Sequence, residues 1–317
     1  MDLAGGATRS ARLVEFPLTG PAGEPVDLLR TFRSHGLASL PPMHPDKKAN
    51  TLEITLPLDG SAPRTVRVSR GRPGYGIASI LGPPPASGTA AGLMAGVRHV
   101  LRLDEDLTPF YALAAEDPEL AWVTKGAGRL IRGATVFEDV VKTICTTNCS
   151  WSATTRMISA LVEHLGERAP DAPPTGPLGR AFPTAPAMAG AGEDFYRDVA
   201  RAGYRGKYLL ALARSVAGGE LDLESLSATS EELSDDEMET RLRALPGIGP
   251  YGAAHVMMLL GRYSRLILDS WTRPKYARLV GKRSVEDAEI EERFRPYGPY
   301  QGLAFWLYLT RDWLDER

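Results

Sequence analysis

Cysteine is scarce in this sequence: Cys145 and Cys149 are the only two among 317 residues. Two thiols cannot form a disulfide framework, a four-cysteine zinc site or an all-cysteine iron–sulfur cluster. The two cysteines stand four residues apart, and no pair of histidines lies near them in the sequence. We therefore expect them to be packing residues, and we expect neither a metal site nor a cofactor.

An excess of one charge and long apolar runs are also absent. Lysine and arginine total 37 against 39 aspartates and glutamates, a formal net charge of −2, so a nucleic-acid partner would have to bind to a local patch. No apolar run approaches the ~18 residues of a membrane span, and the first residues lack the apolar core of a secretory signal. We expect a cytoplasmic protein that does not bind membranes.

Hydrophobic periodicity changes near residue 105. Three runs of alternating character lie before this point, at residues 51–58, 65–69 and 75–81. Separated by glycine- and proline-rich turns, they predict a small antiparallel sheet, and residues 97–103 predict a further strand. After this point the apolar spacing is helical. The expected fold class is α+β, with an N-terminal antiparallel β-rich domain (1–105) and an all-helical domain (106–317).

A glycine-rich turn joins two of the predicted helices. Ser234-x-x-Glu237 is a capping box that begins a short helix, and residues 245–249 (LPGIG) lie between it and a helix beginning near Pro250. This is a helix–hairpin–helix pattern. Glycines let backbone N–H groups at a helix N-terminus approach a phosphate closely. An ordinary corner between two helices is the alternative for these five residues taken alone.

Asp269 follows the hairpin by twenty residues and ends the apolar run 266–268. A hairpin of this type followed by an apolar run and an aspartate resembles the helix–hairpin–helix DNA glycosylase superfamily. Four further segments resemble its 8-oxoguanine branch in the same order: residues 141–148, 182–184, 203–208 and 300–304. The N-terminal sheet suits both that branch and the 3-methyladenine branch.

The resemblance implies a DNA repair enzyme that binds double-stranded DNA containing a damaged base, as a monomer, nucleoid-associated in a bacterium. Asp269 is then the catalytic residue. We expect these residues to contact DNA: Gly247, Ile248, Gly249, Asn148, Arg205, Lys207 and Arg273. We expect these to form the base pocket: Tyr251, His255, Trp271 and Phe305. Trp151 and Trp306 are further candidates for wall or wedge. For each aromatic residue alone, burial in the core is the alternative.

Departures from the family pattern narrow the chemistry. Tyr251 stands where bifunctional members carry the lysine that cuts the strand, so a lyase based on that lysine is excluded. Phe305 and Leu309 replace a base-reading glutamine and a stacking phenylalanine of the 8-oxoguanine branch. We therefore expect a monofunctional DNA N-glycosylase that flips out and hydrolyses a damaged purine, of the alkylated 3-methyladenine type. The alternatives are an 8-oxoguanine glycosylase-like enzyme and a non-catalytic helix–hairpin–helix DNA-binding protein.

Overall fold

The computed structural model describes residues 12–83, 88–170, 172–227 and 233–314. Residues 1–11 and 84–87 of the predicted N-terminal domain, and residues 171, 228–232 and 315–317 of the predicted helical domain, lie outside these ranges. Five strands and two helices form the N-terminal part: β1 Arg12–Pro17, α1 Leu28–Phe32, β2 Met43–Asp46, β3 Thr51–Leu58, β4 Ser61–Arg70, β5 Tyr75–Ile80 and α2 Thr89–Val100.

The strands form one antiparallel sheet in the order β1-β5-β4-β3-β2. Alternation puts every second side chain of β3 and β4 into the interior, where Ile54 lies opposite Val66. All three predicted strands are confirmed. β1 and β2, at the two edges of the sheet, were not predicted.

The strand predicted over residues 97–103 is wrong, because Val97 lies within α2 and residues 101–104 form a turn. Leu93, Val97 and Val100 are fully or almost fully buried in the core beneath the sheet. Their spacing of three and four residues is that of one helix face. The short alternation of apolar and polar residues over 97–103 therefore does not reflect a strand.

The rest of the described chain is helical. Its α-helices are α3 Thr108–Ala115, α4 Val136–Thr146, α5 Trp151–Leu165, α6 Ala185–Gly190, α7 Gly192–Asp194, α8 Arg205–Ala217, α9 Asp235–Arg243, α10 Pro250–Leu259, α11 Thr272–Leu279, α12 Asp287–Phe294 and α13 Gln301–Thr310. The predicted α+β fold class is confirmed. No helix of the described ranges is long and apolar enough to cross a membrane.

Two apolar cores hold the helices together, and α10 belongs to both. Val256 and Met257 pack in the core built from α4, α5 and α8, whereas Ala254 and Met258 pack in the core of α3, α11, α12 and α13. The hairpin before α10 therefore lies at the junction of the two cores.

Buried polar contacts fix the N-terminal part against the helices. Arg129 pairs with Glu24 at 2.6 Å, and both side chains are almost fully buried. The indole N–H of Trp306 donates to the Ser34 carbonyl at 2.7 Å, and His35 Nε2 donates to the Ile131 carbonyl at 2.5 Å. The Trp306 contact holds residue 34 next to the core of α13, and the Ile131 contact fixes residue 35 to the segment before α4.

Candidate active site

A cleft of about 1190 Å³ opens at the hairpin. Residues from six parts of the chain line it: 36–37, 146–154, Tyr204 and Tyr208, 247–255, 267–271, and the two tryptophans Trp306 and Trp313. We call residues 267–271 the Asp269 turn and residues 146–151 the Asn148 turn. Each turn leads into a helix, α11 or α5, and each carries an exposed tryptophan.

Asp269 is held in one orientation at the start of α11. Its Oδ1 accepts hydrogen bonds from the backbone N–H groups of Trp271 at 2.8 Å and Thr272 at 2.7 Å. The backbone N–H of Asp269 donates to the Thr272 hydroxyl at 2.8 Å. A carboxylate at this position satisfies free N–H groups and is favoured by the helix dipole. The sequence thus places a fixed anion in the cleft.

The cleft contains little other charge. Among the described residues that line it, Asp269 is the one carboxylate, and none is lysine or arginine. Arg273, outside the cleft lining, couples electrostatically to Asp269 but is itself paired with Asp287, so the carboxylate remains available to stabilise positive charge on a ligand.

The hairpin has the geometry that its glycines predict. Gly247 has φ +80°, and a Cβ there would lie 2.9 Å from the Tyr208 ring. Gly249 is the N-cap of α10, and Pro250 occupies the first helical position. Ile248 is buried in the first core and anchors the turn. Both glycines line the cleft, so the exposed start of α10 is suited to a phosphate.

Tyr251 and His255 lie one turn apart on α10, and both line the cleft with their ring centroids 5.9 Å apart. Burial raises the pKa of Tyr251, the Thr146 hydrogen bond opposes the rise, and the carboxylate of Asp269 adds to it. The phenol therefore stays protonated at neutral pH. Tyr251 and Asp269 both line the cleft.

Trp271 supplies the aromatic surface beside Asp269. It is 39% exposed and packs against Trp306 and Trp313, with ring centroids 5.7 and 5.9 Å away. All three tryptophans line the cleft. They form an aromatic surface next to the carboxylate.

Phe305 requires a correction, because the structure places it in the core and not in the cleft. Its side chain is 0% exposed and packs against Phe294, at 5.2 Å between ring centroids, and Tyr276. Consecutive residues on a helix point about 100° apart. Trp306 therefore faces the cleft, whereas Phe305 faces α11 and α12.

The three basic residues expected at DNA differ in their surroundings. Arg205 is only 6% exposed, and its Nε donates to the Thr147 carbonyl at 2.9 Å, so it braces the Asn148 turn. Arg273 makes two hydrogen bonds to Asp287, at 2.6 and 2.8 Å. Lys207 has an exposed side chain. DNA contact by each of them stays a prediction, for which Lys207 offers the most accessible charge.

The side chain of Asn148 is held more loosely than that of Asp269. Asn148 is exposed, has φ +46°, and its Nδ2 donates to the Tyr204 hydroxyl at 3.4 Å. The Ser150 hydroxyl caps α5 by accepting from the Ala153 N–H at 3.3 Å. Trp151 is 47% exposed, and its ring lies against Gly36 of the N-terminal part.

Two parts of the cleft, Trp313 and residues 36–37, were not predicted from the sequence. Trp313 follows Trp306 by seven residues, a spacing that indicates one helix face and could have identified it. Gly36 and Leu37 carry no such signal. A short 3₁₀ helix and the long-range contacts of residues 34 and 35 bring them to the cleft.

Comparison with solved structures shows the fold. The chain is similar to 3-methyladenine DNA glycosylase from Archaeoglobus fulgidus, with TM-score 0.71 and 19% identity over 95% of this chain and 99% of that chain. It is similar to MBOgg1 in complex with a low-affinity DNA ligand, with TM-score 0.72 and 20% identity over 98% of each chain. No protein-family model and no curated protein matches the chain.

A third similar structure contains DNA. It is the Clostridium acetobutylicum 8-oxoguanine glycosylase/lyase with double-stranded DNA that contains cytosine opposite 8-oxoguanine. The TM-score is 0.64 at 20% identity, over 85% of this chain and 87% of that chain. The chain therefore has the fold of these DNA glycosylase structures.

Proposed function

We propose that this protein is a monofunctional DNA N-glycosylase of base excision repair that releases a damaged purine, and that Asp269 is its catalytic residue. The observation that carries the proposal is the carboxylate fixed by two backbone N–H groups in a cleft between a glycine hairpin and three tryptophans. The fold shared with DNA glycosylases supports it. The partner is double-stranded DNA with a damaged base.

The chemistry requires an anion next to the sugar. Breaking the bond between base and sugar develops positive charge on the sugar ring, and Asp269 stabilises this charge and polarises the attacking water. The enzyme first extrudes the nucleotide from the duplex, at a cost of a few kcal/mol. The exposed start of α10 holds a backbone phosphate while the base enters the cleft.

The aromatic surface favours an alkylated purine. A ring-alkylated purine carries positive charge, and aromatic faces attract cations. Although Phe305 is in the core, Trp271, Trp306 and Tyr251 provide such faces in the cleft. An alkylated base also leaves readily, so that a strong general acid is not needed. We therefore assign 3-methyladenine and 7-methylguanine as the preferred substrates.

An 8-oxoguanine glycosylase-like activity is the second candidate. It is favoured by the likeness to MBOgg1, which covers 98% of both chains, and by the presence of Asn148 and Tyr204 in the cleft. A non-catalytic DNA-binding protein is the third candidate. Such a protein would not need a carboxylate fixed in the cleft, so this candidate does not explain the position of Asp269.

Duplexes that each contain one lesion test the proposal. We expect release of 7-methylguanine, and of 3-methyladenine from methylated DNA, and little release of 8-oxoguanine opposite cytosine. The reverse order of rates would establish the second candidate. Duplex binding without release of any base would leave only the DNA-binding protein.

The absence of lysine among the described cleft residues supports the monofunctional assignment. We expect abasic sites on intact strands, with strand cleavage only after alkali or heat. Borohydride trapping of a covalent protein–DNA adduct would overturn this assignment. Lys207 and Lys275 would then be tested first; Lys275 is bonded to Asp312 at 2.6 Å.

A further inference from the structure

His255 has two polar atoms that the protein does not use. The side chain is 6% exposed and lines the cleft. In the described chain, neither Nδ1 nor Nε2 has a hydrogen-bond partner. Its ring neighbours are Tyr251, at 5.9 Å between centroids, and His35, at 6.2 Å in an edge-to-face arrangement. Buried polar atoms are nearly always paired, so an unpaired imidazole in a cleft indicates a missing ligand.

The second buried histidine provides a comparison. His35 Nε2 donates to the Ile131 carbonyl at 2.5 Å, and His35 is not among the described cleft residues. One ring nitrogen of His35 therefore has a structural purpose. His255 has no such bond, although it lies in the cleft next to Tyr251.

His255 is uncharged at neutral pH. Burial lowers its pKa to about 4, so the imidazole offers one N–H donor and one lone pair, on separate ring nitrogens. A cationic imidazole would repel a base that carries positive charge. The neutral ring does not repel such a base. Both ring nitrogens are covered in this structure, so the imidazole must turn towards the cleft to hydrogen-bond to the base.

We propose that His255 is a specificity-determining residue that hydrogen-bonds to the Watson–Crick edge of the extruded purine. This inference rests on the proposed glycosylase function. Extruded bases are recognised by stacking and by hydrogen bonds to this edge, and the tryptophans already supply the stacking surface. The favoured substrates are purines alkylated at N3 or N7, which keep the edge intact. A purine whose edge is blocked, such as 1,N6-ethenoadenine, leaves His255 unpaired and is disfavoured.

The test replaces His255 in three ways and measures single-turnover release from duplexes with 7-methylguanine or 1,N6-ethenoadenine. H255F keeps a planar ring without polar atoms, whereas H255N and H255Q each place an amide near one ring nitrogen. We expect H255F to slow 7-methylguanine release by about 10- to 100-fold. The rate ratio of 7-methylguanine to ethenoadenine should fall at least about tenfold, and one of the two amide variants should restore it.

Two controls separate recognition from folding. Affinity for a duplex with an uncleavable abasic analogue should stay within about twofold, because no base occupies the pocket. H164F alters a histidine on α5 that packs against Phe195 and should behave as wild type.

Several outcomes overturn the inference. One is H255F within twofold of wild type on both lesions, and another is equal slowing on both. If H255F does not fold, an unchanged ratio in both H255N and H255Q overturns it. In each case, if wild type releases base and D269N does not, the proposed glycosylase function is supported even though the inference about His255 is overturned. A wild-type protein that releases no base overturns the function and the inference together.

Discussion

Two turns bring a polar side chain and a tryptophan to the same cleft, but the protein restrains these side chains to different degrees, although hydrogen bonds from Arg205 and Cys149 hold the backbone of the Asn148 turn. In the Asp269 turn, hydrogen bonds of 2.7 to 2.8 Å link Asp269 to Trp271 and Thr272, and Trp271 packs within a cluster of tryptophans. In the Asn148 turn, Asn148 has φ +46° and a 3.4 Å bond to Tyr204. Trp151 is close to half exposed.

The difference follows from the tasks that we propose for the two turns. A group that stabilises charge in a transition state must be placed within a fraction of an ångström before the substrate arrives. A surface that meets a duplex gains from the ability to adjust, since DNA bends and unstacks as a base leaves the helix. We infer that the Asp269 turn performs chemistry and that the Asn148 turn contacts the duplex.

The largest effect is expected from D269N. An amide keeps the oxygen that accepts from Trp271 and Thr272, so the fold and duplex affinity should remain. It lacks the charge that offsets the sugar cation, and single-turnover base release should fall by about 10³-fold or more.

Asp27 is the matched control for this variant. It accepts from the N–H groups of Leu29 and Arg30 at the start of α1, outside the cleft. D27N should release base at the wild-type rate; a D269N rate near wild type would refute the assignment.

Removing one restraint from each turn sharpens the comparison. T272V keeps the shape of a buried side chain and removes the acceptor for the Asp269 N–H. We expect base release to slow about tenfold, which corresponds to one lost hydrogen bond, with unchanged affinity for an abasic-analogue duplex. S150A removes the cap of α5 and costs about 1 kcal/mol of stability, but base release should stay within twofold. Equal effects of the two variants on base release would contradict the division of tasks.

Alanine substitutions of the two tryptophans should cause defects in different assays. W151A removes a half-exposed ring that contacts Gly36, so we expect only a small drop in melting temperature and a duplex affinity lower by about tenfold, the value of one stacking contact. W271A removes a ring that packs on Trp306 and Trp313, so it should lower both the melting temperature and base release. Fluorescence anisotropy, thermal melts and single-turnover assays distinguish the two. If W151A bound duplex normally, the Asn148 turn would lose its proposed role.

Local spacing in the sequence was enough to predict the hairpin, whereas the choice of Asp269 came from the resemblance to DNA glycosylases. The glycines of residues 245–249 and the capping box at Ser234 act within a few residues, and both are present in the structure. The strands with clear alternation were predicted for the same reason. β1 and β2, of six and four residues, are edge strands in which Pro17 and Pro45 weaken the pattern.

Long-range packing determines the parts of the cleft that could not be predicted from the sequence. Gly36 and Leu37 reach the cleft only because Ser34 and His35 bond to distant residues. The choice between Phe305 and Trp306 depends on how α13 is rotated against its neighbours. That rotation is set by the core of α11 and α12, which no local pattern encodes.

The smallest expected effect concerns the support of the Asn148 turn, where the ring of Trp151 lies against Gly36. Burial lowers the pKa of the adjacent His35 from 6.5 to about 3; nearby His255 and Lys142 lower it further, and the Ile131 carbonyl opposes them. Below pH 6.5 the unfolded chain therefore binds a proton at His35, whereas the folded protein does not. The free energy of unfolding consequently decreases as the pH falls from 6.5 towards 3, by at most about 1.4 kcal/mol per pH unit.

H35Q can still donate to Ile131 but cannot be protonated. We expect its free energy of unfolding to fall less than that of wild type between pH 6.5 and 5, by about 1 kcal/mol or more. Urea titrations at each pH measure this difference, and the other buried groups cancel because both proteins contain them. H164Q, at an exposed site, should follow wild type. If the free energies of unfolding of H35Q and wild type fell in parallel with pH, acid would not destabilise the protein through His35.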